Sequence, residues 1–222
     1  MMQNSLSLKE LESYCLNLLN FYLPDKYVIQ YPLEPLLEKT LQRLEYCFGS
    51  IRLKYYNEKG LIMFNHINSD HFTTFLYFLS NTIWQETQDT ELPTRFFYLN
   101  KIMHGIDLFY SVKMPEIFLL VHPLGTVLGH AGYSNYFVAY QNVTVGSDEV
   151  GTYPNFEEGT ILYSKTSVIG NCNLGADVIL GANAFILNTN VPDKTIVTGQ
   201  FPTCTFTPNK TSVIKRVFDR VS

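Results

Sequence analysis

Histidine side chains are the groups of this sequence best able to perform acid–base chemistry, and there are five of them. His122 lies in the stretch VHPLGTVLG. A neutral imidazole can take a proton from a hydroxyl group near pH 7, so any histidine is a candidate general base. Most histidines are not catalytic, and the residue type alone favours a surface or packing role for His122. The residues around His122 must therefore show whether it is catalytic.

Cysteine chemistry is disfavoured by the spacing of the thiols. The four cysteines are far apart in the chain and form no Cys-x-x-Cys pair: Cys15, Cys47, Cys172 and Cys204. A zinc site is unsupported by this pattern, and no metal is expected. Reduced thiols in a cytoplasmic protein are the simplest interpretation.

The bulk composition indicates a globular protein with a real core, since 46% of the residues are hydrophobic. The net charge of −4 and the lack of a Lys/Arg run disfavour nucleic acid as a partner. No apolar run reaches the length of a membrane span, and MMQNSLSLKELESY lacks the basic start and apolar stretch of a signal peptide. The single local basic cluster lies near the end: Lys210, Lys215, Arg216 and Arg220.

Apolar residues return every sixth position through the second half of the chain. The repeating positions are Phe156, Leu162, Val168, Leu174, Leu180 and Ile186. Two places before the last five of them lies a smaller residue: Thr160, Thr166, Cys172, Val178 and Ala184. A helix would repeat every three or four residues and a strand every two, whereas a period of six is typical of a parallel β-helix with three flat sides. Residues about 18 apart, such as Leu162 and Leu180, are then expected to stack.

The first half has the periodicity of α-helices instead. Apolar residues recur at three-to-four spacing in LKELESYCLNLLNFYL, EPLLEKTLQRLEYCF, DHFTTFLYFLSNTIWQ and TRFFYLNKIMHG. We expect Asp70 or Ser69 to cap the third helix and Gly105 to stop the fourth. The sequence therefore predicts an α+β protein: a helical domain over 1–105, a β-helix over 106–200 and a tail over 201–222. The helical domain can cap one open end of the β-helix.

From about Asp107 to Gly199 the sequence resembles the hexapeptide-repeat acyltransferases, and among them the serine O-acetyltransferases. The resemblance rests on HPLGTVLG, on Val143-Thr144-Val145-Gly146 and on GNCNLGADVILGANAFI with VPDKTIVTG. It implies a left-handed coil, a homotrimer that can pair into a dimer of trimers, and acetyl-CoA bound between neighbouring prisms. Upstream of Asp107 only the architecture is similar.

The same resemblance implies the catalytic residues. The family's catalytic histidine lies in His-x-x-Gly, which matches His122 and Gly125, and its partner aspartate fifteen residues earlier matches Asp107. Such a base would deprotonate an acceptor hydroxyl for direct attack on the thioester, and the carboxylate would fix the imidazole tautomer. A backbone N–H near Gly146 would stabilise the oxyanion. For acetyl-CoA, the resemblance places Gly146 at the thioester end, Ser164 and Ala182 along the pantetheine, and Lys194 with the basic tail at the phosphates.

The sequence departs from the family where the amino acid should bind. Val121 replaces an aspartate that contacts the amino group, and Thr152-Tyr153 replace the Arg-His pair that holds the carboxylate. Free serine is therefore in doubt as the acceptor, since a carboxylate favours an arginine fork or another cation. Aromatic and polar residues are expected to line the groove instead, as for a sugar: Tyr133, Tyr136, Tyr140, Gln141, Asn142, Tyr153 and Tyr163.

Three functions remain open at the level of sequence. The first is an acetyl-CoA-dependent O-acetyltransferase acting on serine or a sugar hydroxyl, with Val121, Gln141 and Tyr153 near the acceptor. The second is an O- or N-acetyltransferase acting on a sugar or an amino-sugar nucleotide in polysaccharide biosynthesis. The third is a β-helix scaffold without catalysis.

Overall fold

The computed structural model describes residues 2–219, so Arg220 of the basic cluster lies outside the described residues. Four helices form most of the first half: α1 Leu8–Tyr22, α2 Glu34–Gly49, α3 Ser69–Thr87 and α4 Glu91–His104. Within residues 2–219, no helix combines the length and the apolar character needed to cross a bilayer. All four helices predicted from the sequence are present in the structure.

The helix ends follow capping chemistry, with one correction to the prediction. Ser7 and Glu10 form a reciprocal capping box at the start of α1. The cap of α3 is Asn68, not Asp70 or Ser69, because its side-chain oxygen accepts the backbone N–H groups of Asp70 and His71. Gly105 ends α4 in the left-handed conformation, with φ of +65°.

A small sheet interrupts the helical half, which the sequence patterns did not predict. It contains β1 Gln3–Asn4, β2 Asn57–Glu58 and β3 Leu61–Phe64, with β1 parallel and β2 antiparallel to β3. Lys59 and Gly60 join β2 to β3 and both have positive φ, as in the tight turn that suits the twist of a hairpin.

The second half winds as a three-sided prism of parallel strands. Its coils are formed in chain order by β4 Phe118–Leu120, β5 Val127–Leu128 and β6 Gly132–Tyr133; β7 Phe137–Ala139, β8 Thr144–Gly146 and β9 Asn155–Phe156; β10 Ile161–Leu162, β11 Ser167–Ile169 and β12 Asn173–Leu174; then β13 Ile179–Leu180, β14 Phe185–Leu187 and β15 Thr195–Thr198. Face one contains β4, β7, β10, β13 and β15; face two contains β5, β8, β11 and β14; face three contains β6, β9 and β12.

The six-residue period corresponds to the interior of this prism. All six repeating apolar residues are at most 1% exposed, and so are the five smaller residues that precede them by two. Leu162 pairs with Leu180 in register, as the spacing predicted, and the ladder continues to Val197. The periodic positions therefore form the continuous core of the second half.

Additional elements cover both ends of face one, which shields the strands β4 and β15. At one end α3 packs on β4, where the rings of Phe78 and Phe118 lie 5.3 Å apart. At the other end β16 Thr205–Pro208 pairs antiparallel with β15.

The tail then runs back along the prism to the helical half. Asp177 accepts hydrogen bonds from Ser212 and Val213 at the start of α5 Val213–Val217. Phe218 packs on the ring of Tyr136 and forms a bridge with Ile51, just after α2. The tail thus ties the two halves together.

Candidate active site

Three corners join the faces of the prism, and the predicted site residues can be placed by corner. The first corner joins face one to face two through the turns 121–126, 140–143, 163–166 and 181–184. The second corner joins face two to face three, and the third joins face three to face one. The first turn of the first corner has six residues, whereas the next three have four each.

His122 lies in that longer turn and projects outward. Its side chain is 75% exposed, and its backbone has a φ of +48°. Gly125, the glycine of the His-x-x-Gly motif, closes the turn with a φ of +72°; a Cβ there would lie 2.4 Å from Asn142 Oδ1. The motif thus has a physical basis, since only glycine allows this turn to pack on the coil above it.

Asp70, from the first turn of α3, is the carboxylate nearest to His122 in the structure. The backbone N–H of His122 donates a hydrogen bond of 3.1 Å to Asp70 Oδ2. The same oxygen lies 3.5 Å from His122 Nδ1, and the Asp70 side chain is only 13% exposed. A contact between an α-helix and the prism therefore holds the candidate base, which the sequence analysis did not foresee.

Asp107, the predicted partner of His122, is placed differently. It lies beside Val127 at the start of face two, and its carboxylate accepts a 2.6 Å hydrogen bond from Lys101 Nζ. No hydrogen bond or ion pair between Asp107 and His122 occurs within residues 2–219.

The first corner also brings together four other predicted residues. Val121 precedes His122, and the next turns of the same corner hold Gln141, Ser164 and Ala182. Gln141 Oε1 is buried and has no hydrogen-bond partner. An unpaired buried acceptor costs free energy, so this oxygen suits a ligand that donates an N–H group.

Gly146 and Tyr153 lie at the second corner, at the far end of face two. Gly146 ends β8, and Tyr153 packs against Gly129 and lies 6.4 Å, ring to ring, from His130. The acidic loop between them folds on itself, since Asp148 accepts the backbone N–H groups of Val150 and Thr152.

Lys194 lies at a third position, apart from both groups. It is exposed in the turn that leads into β15, where its N–H donates to Ala176 and its carbonyl accepts from Asn209. The tail lysines and arginine within the described chain are exposed as well: Lys210, Lys215 and Arg216. One copy of the chain thus spreads the predicted acetyl-CoA residues over three corners.

Two predicted groove tyrosines pack against the core, Tyr133 partly buried and Tyr136 fully. Tyr133 stacks on Phe156 at 5.5 Å and donates its hydroxyl hydrogen to the Gly129 carbonyl. Tyr136 is 7% exposed and packs on Phe218. In contrast, Tyr140 and Tyr163 pack against each other at the first corner and are half-buried.

A cavity of about 510 Å³ opens beside His122 between the two halves of the chain. Both halves line it: Leu53, Lys54, Tyr55, Tyr56, Asn68, Ser69, Asp70, Val121 and His122. The hydroxyl of Tyr56 is buried and has no hydrogen-bond partner. The sequence gives little indication of the helical side of this cavity, since Asn68 and Asp70 resemble ordinary helix-start residues.

Three of the other histidines, His66, His71 and His104, lie in structural settings, whereas His130 is exposed beside Tyr153. Burial lowers the pKa of His71 to about 4 and that of His104 to about 4. His66 Nδ1 bonds to the Ser5 hydroxyl at 2.8 Å. Within residues 2–219, no group of three or more His, Cys, Asp or Glu side chains could hold a metal ion.

Curated relatives of this sequence are serine acetyltransferases, although no family model matches it. Serine acetyltransferase of Synechococcus elongatus is 23% identical over 110 residues, which are 48% of this chain and 45% of that protein. Serine acetyltransferase 2 of Arabidopsis thaliana is 31% identical over 99 residues, 43% of this chain and 30% of that protein. The matches thus span less than half the length of these relatives.

Solved structures show the same fold over more of the chain. Serine acetyltransferase from Vibrio cholerae superposes with a TM-score of 0.64 at 19% identity, covering 81% of this chain and 72% of that one. A serine acetyltransferase in complex with CoA gives a TM-score of 0.61 at 18% identity, with 78% and 75% covered. The predicted fold class, a helical part followed by a left-handed parallel β-helix, is confirmed. The chain is thus similar to serine acetyltransferases in sequence over less than half of its length and in fold over most of it.

Proposed function

We propose that the chain is an acetyl-CoA-dependent O-acetyltransferase in which His122 is the general base. The observation that supports this most is the exposed imidazole on its His-x-x-Gly turn, at the mouth of the cavity between the halves. A catalytic base must reach its substrate, and His122 is accessible where the buried His71 is not.

In the proposed reaction, one proton moves from the acceptor hydroxyl to His122 and then to the leaving thiolate. His122 takes the proton of the acceptor hydroxyl, so that the oxygen can attack the acetyl carbonyl carbon. The carbon–sulfur bond breaks, and the protonated imidazole returns its proton to the departing thiolate. Acetyl-CoA supplies the activated acetyl group; this chain supplies the base and the surfaces that hold both substrates.

Gln141 supports the placement of acetyl-CoA at the first corner. Its buried, unpaired Oε1 suits an amide N–H, and pantetheine contains two amides. Ser164 and Ala182 continue the same corner toward later coils and leave room for an extended chain. We assign Gln141 to the pantetheine and no longer to the acceptor, where the sequence placed it. Ser164 and Ala182 share this role, with Lys194 or the tail at the phosphates.

A second copy of the chain is needed to complete this site. Gly146 and Tyr153 lie across face two from His122. If the second corner of one copy packs beside the first corner of another, both sets of residues face one groove. Repeated around a threefold axis, this packing would close into a homotrimer. The exposed surface of the helical halves remains available for the pairing of two trimers.

The acceptor is proposed to enter the cavity beside His122. Its lining includes one cation, Lys54, one carboxylate, Asp70, and the exposed ring of Tyr55. At about 510 Å³ the cavity has the size of sites that bind small molecules. Serine is the first candidate. A sugar hydroxyl is the second, because Val121, Thr152 and Tyr153 lack the charges that an amino acid would pair with.

The experiment is thiol release from acetyl-CoA with serine, sugars and amino-sugar nucleotides as acceptors. His122→Ala is expected to lower kcat on the order of 10²–10⁴-fold with the best acceptor. His66→Ala, whose ring bonds to Ser5, is the matched histidine control and should leave turnover unchanged. Full turnover in His122→Ala would contradict the assignment of the base, and no turnover with any acceptor would favour the scaffold.

A further inference from the structure

The contact between Asp70 and His122 joins two elements that are far apart in the chain. One carboxylate oxygen accepts the His122 backbone N–H at 3.1 Å and lies 3.5 Å from Nδ1 of the same residue. A single group thus faces both the turn that presents the imidazole and the ring nitrogen that is not needed as the base. In acid–base sites a carboxylate at this nitrogen selects the tautomer whose other nitrogen is free to accept a proton.

Asp70 is available for this role because its own helix does not need it. Asn68 caps α3 and accepts the N–H groups of Asp70 and His71. The Asp70 carboxylate still lies in the first helical turn, where the helix dipole stabilises a negative charge. Partial burial of an ionised carboxylate is costly without such partners. The Asp70 side chain is 13% exposed and directed at His122, so it lies where the surroundings stabilise a negative charge.

Asp107 is less available. Its carboxylate is held at 2.6 Å by Lys101, on the last turn of α4, and makes no ion pair with His122. An ammonium group this close competes for the charge that would stabilise a protonated imidazole. The structure thus offers His122 a different carboxylate from the one at the family's position.

We propose that Asp70 is the positioning residue of the catalytic histidine in this chain, an inference that rests on the proposed role of His122 as base. The carboxylate holds the turn at His122 through the backbone N–H and selects the imidazole tautomer with a proton on Nδ1. Nε2 is then the nitrogen that accepts the acceptor's proton. The helical half accordingly forms part of the active site.

Two substitutions in the full-length protein test this. Asp70→Ala removes both contacts and is expected to lower kcat on the order of 10²–10³-fold, with the KM for acetyl-CoA within about twofold. Asp70→Asn keeps an oxygen that can accept the backbone N–H, so it should recover part of kcat. Glu91→Gln, which changes the first-turn acid of α4, is the matched control and should leave both constants unchanged.

A spectroscopic measurement separates this proposal from the proposed function. ¹⁵N NMR of the imidazole, assigned by loss of the signal in His122→Ala, reports which nitrogen is protonated. We expect the Nδ1–H tautomer in the native protein and a shift toward Nε2–H in Asp70→Ala. An unchanged tautomer and unchanged kcat in Asp70→Ala would overturn the role of Asp70, even if His122 is confirmed as the base. If the tautomer shifts in Asp70→Ala but His122→Ala keeps full turnover, the contact between Asp70 and His122 stands and the role of His122 as the base is rejected.

Discussion

The two halves of the chain satisfy their buried polar groups in different ways. In the prism, the buried threonines bond to carbonyls of their own corner: Thr126 to Tyr140, Thr160 to Glu157 and Thr166 to Tyr163. In the helical half, some buried hydroxyls bond within their own helix, as Thr40 does to Leu36 and Ser80 to Tyr77, but other buried side chains reach across long stretches of chain. Asn81 donates to the Tyr110 carbonyl, and Tyr77 donates to the Val112 carbonyl.

The prism thus repeats one local solution, whereas the helical half also depends on individual distant contacts. A repeat shows in the sequence because each coil restates the same pattern. A single hydrogen bond between an asparagine and a carbonyl leaves no pattern.

The prism should be most sensitive at its inner ladders. Leu180 is fully buried and pairs with Leu162 and Val197 on either side. Leu180→Ala should therefore lower the free energy of unfolding by about 2–5 kcal/mol, as measured by urea denaturation. Val150→Ala, at an 85% exposed position, is the control and should change it by less than about 0.5 kcal/mol. Equal effects of the two would refute the continuous core.

The helical half should be the acid-sensitive one. His71 is buried with a pKa lowered from 6.5 to about 4, and its Nε2 has no hydrogen-bond partner. The unfolded chain takes up the proton from pH 6.5 downward while the folded protein does not, so stability present above pH 6.5 is lost between pH 6.5 and 4.

The variant that tests this is His71→Gln. It should reduce that acid-induced loss by on the order of 1–3 kcal/mol in denaturation curves taken from pH 7 to 4. The matched control is His130→Gln in the prism, where the side chain is exposed. The same pH profile in the native protein and in His71→Gln would contradict a buried neutral imidazole.

The smallest of the three effects concerns one hydroxyl between the halves. Tyr77 donates to the Val112 carbonyl at 2.6 Å and accepts the Met114 N–H at 3.1 Å. Tyr77→Phe keeps the ring but leaves two backbone groups unpaired, so it should cost about 1–2 kcal/mol in thermal or chemical unfolding. Tyr98→Phe, on the exposed face of α4, should cost nothing measurable. An equal loss of unfolding free energy in both variants would show that the Tyr77 hydrogen bonds do not contribute to stability.

The prediction of the fold succeeded where sequence patterns extend over many residues. The six-residue repeat from Phe156 to Ile186 gave the prism and its register, and the three-to-four periodicity gave the four helices. The prediction missed the hairpin at Lys59-Gly60, whose turn signal is only two residues long. It also chose the wrong cap for α3, since Asn68, Ser69 and Asp70 are all good capping types and only the backbone geometry distinguishes them.

The candidate site was predictable in part. The His-x-x-Gly motif located His122, and the structure adds the reason why Gly125 is required there. Tyr136 was placed in a groove because aromatic residues suit sugars, yet its ring is buried beside Phe218, and the partly buried Tyr133 packs on Phe156. Composition cannot distinguish these settings, since tyrosine is common in both.

The sequence alone specified that the second half of the chain coils into a prism, because a local period fixes which side chains point inward whatever surrounds them. It also determined which turn carries the exposed imidazole. The carboxylate that this imidazole meets could be identified from the folded structure alone. Asp70 and His122 lie 52 positions apart in different halves, and their contact depends on how α3 packs against the first coil.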